Sequence, residues 1–283
     1  MHILISGSTG LIGGRLKRAF RDAGFEVSAV GRNDFLSEAE ALAEKVSGAD
    51  VVIHLAGAPI IGRWTKKYKN EILSSRVETT RKLVHAVNGA AVKPRLFISA
   101  SAVGIYPGDG IYDETATVSG DDFLAEVCRR WEAEASALTP ETGLAIFRFG
   151  AVLSNEGGAL KKMLLPFRLG LGGPVAGGKQ GFSWIHTDDL AEAFLFVIKH
   201  KLTGIFNLTA PQITDNATFT RALGKALHRP AFFPIPAFGL KMVYGEGASV
   251  LTSGQKVLPA RLQKEDFVFR FPNLELALGD LLK

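Results

Sequence analysis

His2-Ile3-Leu4-Ile5-Ser6-Gly7-Ser8-Thr9-Gly10-Leu11-Ile12-Gly13 is the stretch on which the fold turns. A short apolar run that suits a buried strand passes straight into glycines at G-x-x-G-x-x-G spacing. A helical pattern then runs from Gly13 to Ala23. Gly7 permits the tight turn, Gly10 lets the backbone approach a pyrophosphate, and Gly13 lets helix and strand pack closely. Ser8, Thr9, Leu11 and Ile12 complete the segment that would face the phosphates. The helix N-terminus adds unpaired N–H groups and a partial positive charge. Strand, glycine turn and helix together predict a Rossmann-type site for a pyridine dinucleotide.

Outward from that turn, short apolar runs at Glu26–Val30, Val51–Leu55, Leu96–Ser99 and Leu144–Arg148 alternate with helical patterns. The helical patterns are Ser37–Val46, Val77–Val87 and Phe123–Ala137. Such alternation predicts a doubly wound, parallel α/β sheet with right-handed crossovers. Between Arg32 and Asp50 there is little room for both a strand and a helix, so one strand is expected to shrink to Asp34–Leu36. Residues 154–182 are glycine-rich and read as loops around a helix, Leu160–Leu169. Ser183–His186, Asp189–Lys199 and Ile205–Leu208 read as strand, helix and strand, and Leu274–Leu282 as a closing helix. The expected organisation is a dinucleotide-binding domain over 1–153, to which 183–210 returns. Residues 154–182 and 211–283 would form a small C-terminal, substrate-side cap.

The 283 residues carry 33 Lys and Arg against 28 Asp and Glu, a net charge of +5. The basic residues are scattered, which fits attraction for phosphorylated small molecules and not a nucleic-acid partner. No apolar run is long enough to span a bilayer, and no membrane partner is expected. The single Cys128 excludes a disulfide framework and suits a cytoplasmic setting. The dispersed histidines give no metal-ligand spacing. After the second strand, Val30-Gly31-Arg32-Asn33 places an arginine where an acid would select NAD(H). Arg32 can pair with a 2′-phosphate, which favours NADP(H) over NAD(H).

The glycine turn, Val52-Ile53-His54-Leu55-Ala56-Gly57-Ala58 and Ile98-Ser99-Ala100-Ser101-Ala102-Val103-Gly104-Ile105-Tyr106 resemble the extended and atypical short-chain dehydrogenase/reductase superfamily. Ser75-Arg76-Val77 with Thr79-Thr80, Arg148-Phe149-Gly150-Ala151-Val152-Leu153 and Gln180-Gly181-Phe182-Ser183-Trp184-Ile185-His186-Thr187-Asp188-Asp189 resemble one branch. That branch is the predicted nucleoside-diphosphate-sugar epimerases with a short conserved C-terminal domain, which Gly254–Pro259 and Phe267–Phe271 also resemble. The resemblance implies cofactor contacts from Leu55, Ala56, Gly57, Arg76, Ser99 and Gly150. It implies substrate-side roles for Gln180, Trp184 and His186. A homodimer through Val77–Val87 and Phe123–Ala137 is compatible with it.

The superfamily's chemistry rests on Tyr-x-x-x-Lys, in which lysine lowers the tyrosine pKa for proton transfer. Here Tyr68, Tyr106, Tyr112 and Tyr244 are followed four residues later by Ile72, Gly110, Ala116 and Ala248. Aligning Glu132 with the superfamily's later acid puts Leu124 and Cys128 at the two catalytic positions. The candidates that remain are Ser101, as a substrate contact or a satisfied strand-end serine, and Tyr106. Cys128 reads as a small buried residue, Asp189 as a helix N-cap, and His186 as a loop-orienting group. Glu126 and Arg130 read as a solvated pair. Two functions are open. One is an NADP(H)-dependent epimerase-like or oxidoreductase-like enzyme acting on a hydroxyl or carbonyl substrate, such as a nucleotide sugar. The other is a catalytically weak dinucleotide-binding regulator or scaffold.

Overall fold

The computed structural model describes residues 1–283. The chain opens with β1 (His2–Ser6), α1 (Leu11–Asp22), β2 (Glu26–Val30), α2 (Ala39–Val46), β3 (Val51–His54), α3 (Lys66–Gly89) and β4 (Leu96–Ala102). It continues with β5 (Ile111–Tyr112), α4 (Phe123–Ala135), β6 (Gly143–Phe149), β7 (Ala151–Leu153), α5 (Gly158–Arg168), β8 (Trp184–His186), α6 (Thr187–His200) and β9 (Gly204–Leu208). The last part holds α7 (Asn216–Ala226), α8 (Ala237–Tyr244), α9 (Ser249–Thr252), β10 (Lys256–Val257), α10 (Ala260–Lys264) and α11 (Leu274–Leu281).

Six strands form one parallel sheet in the order β2-β1-β3-β4-β6-β9. Alternation along each strand sends successive side chains to opposite faces. Ile3, Ile5 and Ile53 therefore pack with Leu16 and Phe20 of α1 and Phe194 and Val197 of α6. Leu4, Val52 and Phe97 pack on the other face with Leu42 and Val46 of α2 and Leu83 and Val87 of α3. Burial on both faces is why these strands are nearly continuous in Val, Ile and Leu. The chain is thus a Rossmann-type doubly wound α/β protein, as its motifs predict. Leu153, Leu160, Phe167, Trp184, Phe219 and Leu278 form a further cluster, built largely from the elements beyond β6. Strand order reverses between β1 and β3, and a ligand crevice is expected above the carboxyl ends of strands at such a point.

Three expectations are corrected. Asp34–Leu36 is a short 3-10 turn and not a strand. Asp34 there accepts from the Gly31 N–H and pairs with Lys45, which closes the turn. Helix α3 begins at Lys66, eleven residues ahead of the expected Val77, with Thr65 capping the Tyr68 N–H. Asp189 is no helix N-cap: His186 Nδ1 accepts the Asp188 N–H in that role. The buried Asp189 carboxylate instead accepts the N–H groups of Arg270 and Phe271 and clips the C-terminal segment to α6. No helix is long and apolar enough to cross a membrane.

Candidate functional site

A cleft of about 570 Å³ opens above the switch point. Gly7, Gly10, Leu11, Ile12 and Gly13 form its floor, with Leu55 beside them. Gly7 has φ +73°, and a Cβ there would lie 2.8 Å from the Leu55 carbonyl carbon, so the turn requires glycine. At Gly13 a Cβ would run into the Gly7 carbonyl and Ser8, so close packing of α1 on the turn requires glycine too. Gly10 differs, since its Cβ would meet only the Gly7 oxygen, at 3.4 Å. The space above Gly10 is therefore open to a ligand. Helix α1 has no side-chain cap and no acid in its first turn, which leaves its N-terminal N–H groups free for an anion. These features fit the phosphates of a dinucleotide.

One wall comes from α3 and α4. Arg76 lines the cleft, donates to the carbonyls of Ile72 and Ala58, and lies over the Trp131 ring at 5.3 Å. A Cβ at Gly57 would touch its guanidinium at 3.1 Å, so the glycine makes room for this arginine. Burial lowers the pKa of Arg76. Leu124, Cys128 and Trp131 of α4 also face the cleft, and the Trp131 indole N–H is buried without a partner. Burial foremost, then the charge of Glu132, pushes the Cys128 thiol up to about 12. It is a buried thiol at neutral pH, not a thiolate nucleophile.

The polar centre is a row across the sheet. In register, Ser101 of β4 neighbours Arg148 of β6, which neighbours Asn207 of β9. Ser101 lines the cleft and donates to Glu132 Oε1 at 2.6 Å. Arg148 holds the same carboxylate with two N–H bonds of 2.8 and 2.7 Å. Its remaining arm donates to the Tyr106 hydroxyl at 2.7 Å, and that hydroxyl donates to Asn207 Oδ1 at 2.9 Å. A second row joins Ser6, His54 and Ser99. His54 is hydrogen-bonded to Ser6 Oγ at 2.5 Å and to Thr79 at 3.2 Å. Burial first, and then the Arg76 charge, lowers its pKa to about 3, so the ring is neutral at ordinary pH.

The structure brings the glycine turn, Leu55, Arg76, Ser101 and Gly150 to one cleft. Other expected residues sit elsewhere. Tyr106 is buried behind the cleft wall with its hydroxyl held on both sides, and burial raises its pKa, so the catalytic reading of Tyr106 is corrected to a structural one. Trp184 is fully buried and donates to Thr214. His186 stacks on Phe271 at 3.8 Å, and burial lowers its pKa against the pull of Asp188 and Asp280. Gln180 donates to the carbonyls of Val175 and Leu251. These three therefore support the cleft from behind, while their neighbours Gly181, Phe182 and Ser183 line it. Ser8 and Ser99 are buried below the floor, Thr9 and Arg32 are exposed at the strand ends, and Gly57 is exposed and Ala56 half-buried beside Arg76. Glu126 and Arg130 form an exposed i,i+4 pair.

The roof comes from the stretch expected as a substrate-side cap, but its individual residues are not among the expected site residues. Ser249, Val250, Ser253, Gly254 and Gln255 line the cleft from the far end of the chain. Ser183 Oγ donates to the Gln255 carbonyl and accepts the Val257 N–H, both at 2.9 Å, which ties the roof to the wall. Glu114 holds the next segment by accepting the N–H groups of Asn207 and Arg261. No sequence spacing announces contacts between residues so far apart.

A model of the NAD dependent epimerase/dehydratase family matches residues 3–209, and a model of a domain of unknown function (DUF1731) matches residues 235–281. The mouse epimerase family protein SDR39U1 is 38% identical over 292 residues, all of both chains. A crystal structure of human SDR39U1 (isoform 2) with NADPH has a TM-score of 0.92 and 34% identity, over 99% of each chain. A nucleoside-diphosphate sugar epimerase from Corynebacterium glutamicum has a TM-score of 0.80 and 30% identity, over all of this chain and 58% of that one.

Proposed function

The chain belongs to the NAD dependent epimerase/dehydratase family, and from that premise we propose that it binds NADP(H) and acts on a hydroxyl or carbonyl substrate, of which a nucleotide sugar is an example. The observation that carries this reading is Ser101, placed on the cleft wall with its proton held by Glu132. NADPH in the human relative supports the choice of cofactor. The glycine turn and the α1 N-terminus would hold the pyrophosphate, and Arg32 the 2′-phosphate. Asp34, the nearby acid, is occupied by Lys45 and the Gly31 N–H, so it offers little repulsion to that phosphate. The bound nicotinamide supplies or accepts hydride.

The rest falls to this chain's residues. With its own hydrogen directed at Glu132, Ser101 Oγ presents lone pairs to the cleft and accepts the hydrogen of a substrate hydroxyl. As that hydroxyl is oxidised, its proton passes to Ser101 while the serine's proton passes to Glu132. The reverse order serves reduction. Arg148 fixes the carboxylate for both directions. Glu132 is thus the proton partner that sequence reading left unidentified. We place the protein in the cytoplasm, where a free Cys128 persists. A second reading, a dinucleotide-responsive regulator, draws on Leu124 and Cys128 standing on the cleft wall where the superfamily has Tyr and Lys.

Titration of the wild type and Arg32→Ala with both cofactors tests the first half. NADPH affinity should fall by about 1.5–3 kcal/mol in the variant while NADH affinity stays put. Equal wild-type affinities for the two would remove Arg32 from the site. For the second half, Ser101→Ala should lower turnover by about 10²–10⁴-fold on nucleotide sugars and carbonyl compounds without weakening NADPH binding. Brisk turnover that survives this change would sink the serine assignment, and silence of the wild type across the panel would favour the regulator.

A further inference from the structure

Charge is unevenly spread along this chain. Residues 157–187 and 216–245 hold eight Lys and Arg and no Asp or Glu. The remainder, 25 basic against 28 acidic residues, carries a net −3. These two stretches lie side by side: Val175 bridges Ile235, the Phe233 N–H bonds the Gly172 carbonyl, and Arg229 donates to the Arg168 carbonyl. They also hold much of the exposed apolar surface. Helix α8 buries none of its residues, with Phe238 at 70% and Met242 at 73% exposure, and Val243, Phe232 and Phe233 are exposed beside them. Leu169 and Leu171 are exposed on either side of Gly170, which lies against Pro230, and Leu165 is exposed one turn ahead of them. Large contiguous apolar surface is costly in water and marks a contact site. Here Arg168, Arg229 and Lys241 are exposed within it.

We propose that this face docks on the surface of an anionic lipid bilayer, with the apolar tips of α8 and the 165–171 segment in the interface and the cations on the headgroups. Arg168, Arg229 and Lys241 have no acidic partner, whereas Lys225 faces Glu275 at 3.8 Å; free cations among protruding Phe, Leu and Met are the features of interfacial anchors. A second copy of the chain fits less well, because a two-fold contact would set Arg168, Arg229 and Lys241 of one copy against the same cations of the other. Nucleic acid would leave the protruding apolar side chains without a partner. Docking of this kind lays the chain on the bilayer, and no helix is long and apolar enough to cross it. Helix α8 leads directly into the roof segment 249–255, so docking sits next to the cleft without covering it.

Flotation of the full chain with phosphatidylcholine vesicles, with and without phosphatidylglycerol, tests this. Binding should be at least about tenfold stronger to the anionic vesicles and weaken with salt. Phe238→Ser with Met242→Ser should reduce it by about tenfold, and Lys241→Gln by about fivefold. Both variants should keep the wild-type circular dichroism melt, since these side chains are exposed. Failure to float with anionic vesicles, or flotation that the double variant leaves unchanged, would overturn the proposal. So would a dimer in sedimentation equilibrium that the double variant dissolves while vesicles go unbound. Binding to a DNA duplex that Lys241→Gln weakens and the double variant spares would count against it equally.

Discussion

Glu132→Ala is expected to cost about 3–5 kcal/mol of stability, because it leaves a buried guanidinium without its counter-ion. The side chains of Arg148 and Glu132 are 8% and 12% exposed, and Arg148 spends two N–H bonds on the carboxylate. Burial alone would lower the Arg148 pKa, but the hydrogen bonds and charge of Glu132 raise it. Removing the acid therefore strands a full charge between β4, β6 and α4, and frees Ser101 at the same time. Glu126→Ala on the same helix is the control: its pair with Arg130 is half-exposed, and its loss should stay below about 0.5 kcal/mol. Urea midpoints read both. A loss under about 1 kcal/mol for Glu132→Ala would mean that water reaches the pair and that the row is not a dry network.

The second large effect concerns Gly10. Gly10→Val should abolish NADPH binding, by about a hundredfold or more, since the side chain would occupy the place of phosphate oxygens that accept charge-assisted hydrogen bonds. The same change should leave the melt almost untouched, because only the Gly7 oxygen lies near the new Cβ. Gly13→Ala should do the opposite and destabilise the fold, since its Cβ meets the Gly7 carbonyl and the Ser8 backbone. Calorimetric titration and thermal melts on both variants separate the two outcomes. Normal NADPH binding by a folded Gly10→Val protein would move the phosphates elsewhere.

The glycine turn and the strands after it are legible because they are local. Ile3, Leu4 and Ile5 announce a strand buried on both faces, and glycine spacing needs no distant residue to be understood. Helix α3 was legible only from Val77, since Lys66–Arg76 is mostly polar and depends on the Thr65 cap and contacts with α4. The Ser101–Glu132–Arg148–Tyr106–Asn207 network lay hidden for a different reason. Its members are spread over a hundred residues and meet only through sheet register and the face of α4. Asp189 misled because an acid at the start of a helix is the usual cap, while here the tail needed a buried acceptor more.

The roof over the cleft has a consequence in time. During synthesis the cradle at residues 7–13 emerges some 240 residues before the segment at 249–255 that covers it. At about 5–20 residues per second that interval is on the order of ten to fifty seconds. Throughout it the first strands and helices can pair, but the nascent chain presents an open cradle with no lid and no Ser183–Gln255 tie. A dinucleotide captured in that interval would be held by the floor and walls without the roof, and its release would slow once residues 249–255 arrived. Retention of the cofactor is thus a property of the finished polypeptide, conferred on its oldest residues by some of its youngest.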